Sequence, residues 1–591
     1  MKIVSDKIAD FLEEKGIDTV FGIIGSANSY LFESISNKGY TKIVYVHHEQ
    51  AAVMAAGAYY RTSGKMSAAI VTAGPGAANA VTGVVSNWAD SIPTLILSGQ
   101  ESTKYLDEHR HLRMLGTQGF DAVTMLKDVT KYANVLRSSE SVMYEMEKSY
   151  YTCLEGRPGP VWLEIPFDIQ SSAVNEEELA IFREPLEAKP DLKIEEIVDL
   201  INASKRPVIL GGHGIRLSGS KREFQKMVKQ LKIPTLLTWS GIDLLPESEE
   251  YYFGKSGIYG QRCANFVVQN CDLLIVLGSR LALPQTGYDI NNYAPCAKIV
   301  MVNNDEGELH KHERYDLKIN ANVRDVILGL LEHSVDKKEK WHSQCLEYQR
   351  NFPIVENHHV STDEYVNSYE FLNNLSDKLD DNHVIVVGMG TAMASGHQAF
   401  KTKKDQIMFT SNGLGEMGWG LPSLVGASFA SEDRKLLCLM SDGSMMMNLQ
   451  ELQTIIAYDI NVKIVVFNND GYLFIKHTQK MLFNGNFVGV NKDTGIVLPE
   501  YKKIASAFGF EYFSSREDDV EDFLSSDGAS IYEVFMHPEQ PLKPKVVGIK
   551  TPDGILAPPI EEMSPLLEIC DIEENMLIGV NEKSYKIRSL T

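Results

Sequence analysis

The chain has 591 residues, of which 44% are hydrophobic and 23% charged. That is ordinary for a soluble globular protein and enough for roughly three or four domains. A formal net charge of −22 argues against nucleic acid as a partner. No run of about 18 apolar residues suggests a membrane span, and the amphipathic, acid-bearing N-terminus lacks a signal-peptide core. The seven cysteines are scattered, with no CxxC pair. A cytoplasmic protein with no disulfide framework is the expectation.

Taken in chain order, KIVYVH (42–47) reads as a strand and Glu49 opens an Ala-rich helix, EQAAVMAAGAYYRTSG. AAIVTA (68–73) is a second strand, and 74–100 reads as a loop. GTQGFDAV (116–123) holds Gln118 and Phe120. The first block, 1–175, ends after GRPGPVWLEIPFDI. The second, 190–335, contains the strand candidates RPVILGG, TLLTWS, DLLIVLG and KIVMVN. Polar residues 334–364 read as a linker. The third block, 365–545, places the strand LLCLM before Asp442, a helical segment NLQELQTIIAYDI after it, and the strand VKIVVFN leading to Asn468-Asn469. A tail, 546–591, follows. The expected fold class is α/β, with three doubly wound parallel-sheet domains and a C-terminal tail.

Asp442 and Asn469 lie 27 residues apart, about one βαβ unit. Such a unit puts both side chains at the carboxyl edge of a parallel sheet, where ligands bind. A carboxylate and an amide oxygen, completed by a diphosphate, suit Mg²⁺ or Ca²⁺. Asp-Gly and Asn-Asp-Gly are also ordinary turns. In context, Ser441-Asp442-Gly443-Ser444 followed by Asn468-Asn469-Asp470-Gly471-Tyr472 resembles the signature of thiamine-diphosphate enzymes, with Ser441 where that family usually has Gly. The resemblance implies a metal held by Asp442, Asn469 and the carbonyl of Gly471. It also implies a cofactor diphosphate near Gly443, Ser444 and Tyr472.

The stretch around Glu49 resembles the pyrimidine-binding domain of the same family, acetolactate synthase most closely. There the matching glutamate touches N1′ of the aminopyrimidine. A carboxyl group at that place favours the imino tautomer, whose nitrogen then takes the thiazolium proton. SNGLGEMGWGLPSLVGA (411–427) resembles the segment that bends the cofactor, with Met417 under the bend. VIVVGMGTAMASGHQ (384–398) resembles the ring-lining segment, with Gly388, Met389 and Gly390 beside the aminopyrimidine. Gln118 reads either as a donor to a developing oxyanion or as an exposed loop residue, while His47 and His48 read as packing or supporting groups. In the family the two cofactor halves come from different subunits, so a homodimer or homotetramer is implied.

Departures from acetolactate synthase leave the acceptor open. After Asn-Asp-Gly-Tyr the chain reads LFIKHTQKMLFNGNFVGV, with no Trp and with polar Lys476, His477 and Gln479. The leading reading is a decarboxylase and carboligase acting on pyruvate or a similar 2-keto acid. A second keeps that chemistry with a keto-sugar nucleotide as acceptor. A third is a non-catalytic, cofactor-binding scaffold. FAD is open as well. Gly211, Gly212, Gly257, Gly260 and Arg280 fall at places comparable to the family's flavin site, but LALPQTG and Val302-Asn303-Asn304-Asp305 replace its charged loop and its acid. The alternative there is an empty α/β spacer. The tail reads either as a cover over the site or as a packed C-terminal helix.

Overall fold

The computed structural model describes residues 2–185, 190–551 and 554–590. The first sheet contains β1 (Thr19–Gly22), β2 (Lys42–Tyr45), β3 (Ala68–Val71), β4 (Thr94–Gln100), β5 (Tyr132–Val135) and β6 (Pro160–Pro166). The second contains β7 (Pro207–Gly211), β8 (Thr235–Leu237), β9 (Tyr252–Lys255), β10 (Leu273–Leu277), β11 (Lys298–Asn303) and β12 (Leu317–Asn320). The third contains β13 (His383–Val387), β14 (Ile407–Phe409), β15 (Lys435–Ser441), β16 (Val462–Asn468), β17 (Glu511–Ser514) and β18 (Ser530–Phe535).

All neighbouring strands in these sheets are parallel, in the orders β2-β1-β3-β4-β6-β5, β12-β11-β10-β7-β8-β9 and β14-β13-β15-β16-β18-β17. β3, β4, β6, β7 and β10 are buried along their whole length, which explains their unbroken apolar runs: helices cover both faces of such sheets. Strand order reverses between β1 and β3, between β7 and β10, and between β13 and β15. Ligands bind outside the carboxyl ends of strands at such reversals.

Sheets one and three share a hydrophobic core. Its seam is the helix Glu49–Ser63 crossing the helix Gly420–Ala430. The crossing is tight because a Cβ on Gly426 would lie 2.0 Å from the Ala55 carbonyl oxygen. Arg61, buried on the first helix, pairs with Asp90 at 2.6 Å and donates to the Thr410 carbonyl at 3.2 Å.

Three expectations are corrected. Residues 74–100 are not a loop: Pro75–Ala89 is a helix leading into β4. Its glycines hid it, and they serve packing, since a Cβ on Gly83 would lie 2.7 Å from the Val53 Cβ. Residues 334–364 are not simply a linker, because Glu339–Asn351 is a helix. Its sparse stripe, Trp341, Cys345 and Tyr348, is buried against the second sheet's core.

Among the described residues the tail packs on the second sheet and does not cover the cofactor-loop residues. Val546, Ile560, Met563, Ile572 and Met576 join the core of the second sheet. Arg262 donates to the carbonyls of Met563 (3.1 Å) and Pro565 (2.6 Å), and Asn265 to that of Ile560 (2.8 Å). No helix among the described residues is long and apolar enough to cross a membrane.

Candidate functional site

β15 and β16 end side by side, and their ends carry Asp442 and Asn469. Asp442 is buried. Its Oδ1 accepts from Gly443 N (2.8 Å), and its Oδ2 from Asn469 N (2.9 Å) and Gly471 N (3.2 Å). Burial pushes its carboxyl up to about 7, partly opposed by these three N–H groups. Asn469 turns its Nδ2 toward Asp442 Oδ1 and Thr391 Oγ1, both at 3.4 Å. Its Oδ1 is buried with no hydrogen-bond partner. Leaving such an acceptor unpaired costs about 1–3 kcal/mol. A hard cation, which takes carboxylate, amide and carbonyl oxygens, removes that cost. The residues present therefore fit a divalent metal.

The loop that follows can hold only glycine at one place. Gly471 has φ 134°, and a Cβ there would lie 2.0 Å from the Val490 carbonyl oxygen. Tyr472 N donates to that oxygen at 2.9 Å, and the Tyr472 ring lies against Gly443, whose added Cβ would be 2.3 Å from Cε1. Ser441 replaces glycine without strain because its φ is −97°. Its Oγ accepts from Ala392 N at 3.1 Å and touches Gly390, which has φ 99°.

Other expected positions join the same cluster. Ser444 Oγ accepts from Gly418 N at 3.2 Å, so its hydroxyl faces the turn after Met417. Met417 is half-buried. Gly388 packs against Met440, an added Cβ lying 2.7 Å from its sulfur, while half-buried Met389 approaches Gly415.

A second cluster lies at the end of β3. Glu49, half-buried, opens its helix, and its Oε2 accepts from Asn79 Nδ2 at 3.0 Å. Gly76 is wedged beside it: an added Cβ would lie 3.2 Å from Glu49 Oε1 and 2.8 Å from Thr72 Cγ2. Gln118 is exposed and reaches the Ala73 carbonyl at 3.4 Å. Glu101 Oε1 fixes that turn by accepting from Thr117 N (3.1 Å) and Gln118 N (3.0 Å). His48 caps the Glu49 helix through Gln50 N (3.1 Å), and His47 N donates to Glu451 at 3.1 Å. Among the described residues no hydrogen bond joins the Glu49 cluster to the Asp442 cluster.

The polar stretch after Tyr472 serves the scaffold. Lys476 donates to backbone carbonyls at 3.1–3.3 Å. His477 Nε2 meets the Gln540 carbonyl at 2.9 Å, and the Gln479 side chain bonds both backbone groups of Val488 at 2.9 Å. None of these atoms is left over for an acceptor, so the expected link between this stretch and substrate polarity is withdrawn.

A cavity of about 490 Å³ opens where β7 and β10 end, lined by His213, Trp239, Tyr259, Arg280 and Asn303 and reaching Met389 and Phe474 of the third block. It does not fit a dinucleotide ribose, which takes an acid at the end of a strand. Asn303 spends its Nδ2 on the Ser279 carbonyl (3.3 Å) and its Oδ1 on Asp305 N (3.0 Å). Asp305 is paired with Arg157 at 2.8 Å and caps the next helix.

Sequence reasoning missed Asn79, Glu101 and Tyr501, whose hydroxyl donates to the Asp442 carbonyl at 2.7 Å. Asn79 was hidden because the helix that carries it, Pro75–Ala89, read as a loop.

Residues 2–125, 194–330 and 388–531 match the N-terminal TPP binding, central and C-terminal TPP binding domains of thiamine pyrophosphate enzymes. The chain is 31% identical over 552 residues to the acetolactate synthase isozyme 1 large subunit of Escherichia coli (strain K12), covering 91% of this chain and 95% of that one. It is 31% identical over 525 residues to a probable acetolactate synthase large subunit of Methanocaldococcus jannaschii, covering 85% and 86%. With the acetolactate synthase large subunit of Lactococcus lactis it shares 27% over 559 residues, covering 92% and 94%. Two clusters on two strand edges, and matches along most of the chain, lead to one conclusion: this chain belongs to the thiamine pyrophosphate enzymes and resembles their acetolactate synthase large subunits.

Proposed function

We propose that the chain is a thiamine-diphosphate- and Mg²⁺-dependent carboligase that decarboxylates pyruvate or a similar 2-keto acid and joins the remainder to a second carbonyl. The observation that carries this is the buried, unpartnered Asn469 Oδ1 beside Asp442. When bound, the cofactor supplies an electron sink for the carbon that loses CO₂. Asp442, Asn469 and the Gly471 carbonyl hold the metal, with Gly443, Ser444 and Tyr472 around the diphosphate. Gly388, Met389, Gly390 and Met417 shape the ring pocket. Glu49, steadied by Asn79, shares a proton with the aminopyrimidine. Gln118, fixed through Glu101, donates to the oxygen where charge develops.

FAD has no part in this reading, because β11 ends in Asn303 in place of an acid, and that amide is spent on Ser279 and Asp305. The assembly proposed is a homodimer or homotetramer, in the cytoplasm, with Glu49 of one subunit facing the metal loop of another. Exposed Ile475, Met481, Leu482 and Phe483 beside that loop suit such an interface.

The test is CO₂ release and acetolactate formation from pyruvate with thiamine diphosphate and Mg²⁺, comparing wild type with Glu49→Gln. Acetolactate in wild type and its loss in the variant support the reading. CO₂ release with little acetolactate, raised by a keto-sugar nucleotide, moves the acceptor to that class. Cofactor binding without turnover of any 2-keto acid sinks the enzyme reading and leaves a scaffold.

A further inference from the structure

Lys476 is 2% exposed, yet no carboxylate receives its ammonium. Its hydrogen bonds go to three backbone carbonyls: Asn469 O at 3.3 Å, Asp470 O at 3.2 Å and Pro538 O at 3.1 Å. Asp470, Asp442 and Glu539 lie near enough to offset part of the cost of burying this charge, but none accepts its hydrogen bonds, and a methionine would fill the same space. The arrangement must be accounted for by what those carbonyls belong to.

Two of the three, Asn469 O and Asp470 O, belong to the proposed metal loop, and the third, Pro538 O, ties that loop to the segment after β18. A trans peptide is planar, with its C=O and N–H pointing in opposite directions. Drawing Asp470 O toward Lys476 therefore turns Gly471 N–H the other way, onto Asp442 Oδ2 at 3.2 Å. The preceding peptide is fixed likewise: Asn469 O faces Lys476 while Asp470 N donates to Asn468 Oδ1 at 2.9 Å. The two residues held between ammonium and carboxylate both have positive φ, 53° at Asp470 and 134° at Gly471. Asp470 is not glycine, so its conformation carries strain that some neighbour must offset. Lys476 is the cation that does so.

We propose that Lys476 is the positioning residue of the cation site. By hydrogen-bonding the carbonyls of residues 469 and 470, it holds the backbone between Asn469 and Gly471 and keeps the Gly471 N–H turned toward Asp442 before metal arrives. The inference rests on the proposed cation site but not on any choice of 2-keto acid or acceptor.

The test is binding, not turnover. Full-length protein is titrated with Mg²⁺ at saturating thiamine diphosphate, followed by tryptophan fluorescence, for wild type, Lys476→Met, Lys476→Gln and Lys476→Arg. Thermal unfolding of each cofactor-free protein is measured alongside. Expected is a rise in the Mg²⁺ Kd of at least about tenfold in Lys476→Met, equivalent to about 1.4 kcal/mol. Lys476→Gln should behave alike, so the test stands if the Met variant does not fold. Lys476→Arg should return most of the affinity, and excess Mg²⁺ should restore kcat in the Met variant. A wild-type Kd in both neutral variants overturns the proposal. So does an equal loss in Met, Gln and Arg variants, which would mean that only side-chain shape matters. Absence of turnover in wild type would sink the proposed function while leaving this binding test intact.

Discussion

The metal loop and the Glu49 patch are built to different standards within one chain. Around Asp442 every backbone donor is aimed, Tyr501 and Lys476 brace the loop from outside, and the loop residues Asp442 and Asn469 are at most 2% exposed. Glu49 is half-buried, with one side-chain partner, and Gln118 lies exposed beside it. Binding a highly charged diphosphate and cation calls for donors fixed in advance. Proton exchange with a ring nitrogen calls for a carboxyl group that its own chain leaves open on one side.

Four substitutions can break or sharpen that contrast. Asp442→Ala should have the largest effect, because it strips an acceptor from three N–H groups. We expect loss of cofactor binding by calorimetry and about 3 kcal/mol lower stability of the cofactor-free protein in urea. Glu49→Gln should separate chemistry from structure: turnover falls about 10²- to 10⁴-fold, while the melting temperature of the cofactor-free protein stays at the wild-type value. A large drop in melting temperature would mean that Glu49 is structural and the contrast false. Asn79→Ala removes the one hydrogen bond to Glu49 and should lower kcat several-fold, in line with about 1 kcal/mol, with the metal Kd untouched.

The smallest effect is a pH dependence under the Glu49 side. Glu164 is buried in β6, where it accepts from Gln100 (3.0 Å) and Trp162 (3.4 Å), and burial pushes its carboxyl up to about 7. Gln100 in turn holds the Phe120 carbonyl at 3.1 Å, near the Gln118 turn. A carboxyl raised in the folded state favours folding fully below its unfolded value of about 4.5, and that contribution is lost as pH rises through about 7. Urea titrations between about pH 5 and 8 should show stability falling with a slope of at most about 1.4 kcal/mol per unit from this group. Glu164→Gln should flatten that slope. Glu561→Gln should lower the slope by its own share, because burial raises that tail carboxyl to about 7 as well.

Several strands were legible because parallel strands covered on both faces need unbroken apolar runs, as in AAIV and KLLCLMS, whereas TLILSGQ was lost in the stretch read as a loop. That Asp442 and Asn469 meet was legible because each ends one of two neighbouring parallel strands. The helix Pro75–Ala89 was not, since the glycines that let it approach Val53 also suggest a loop. Glu339–Asn351 buries only three side chains in a polar segment, too thin a stripe to stand out. Lys476 was misread for a more general reason. Composition says that a residue is polar, but whether it faces substrate or a carbonyl behind the loop depends on the turn of a helix in space.

The docking of the tail bears on how the protein is made. Val546, Ile560, Met563, Ile572 and Met576 complete a core otherwise built from residues between 208 and 348. Until they emerge, Arg262, Asn265 and Asn270 lack the carbonyls they bond in the finished molecule. The first block can close during synthesis, as domains generally do in order of emergence. The middle block completes its core only after residues 546–576 have been made.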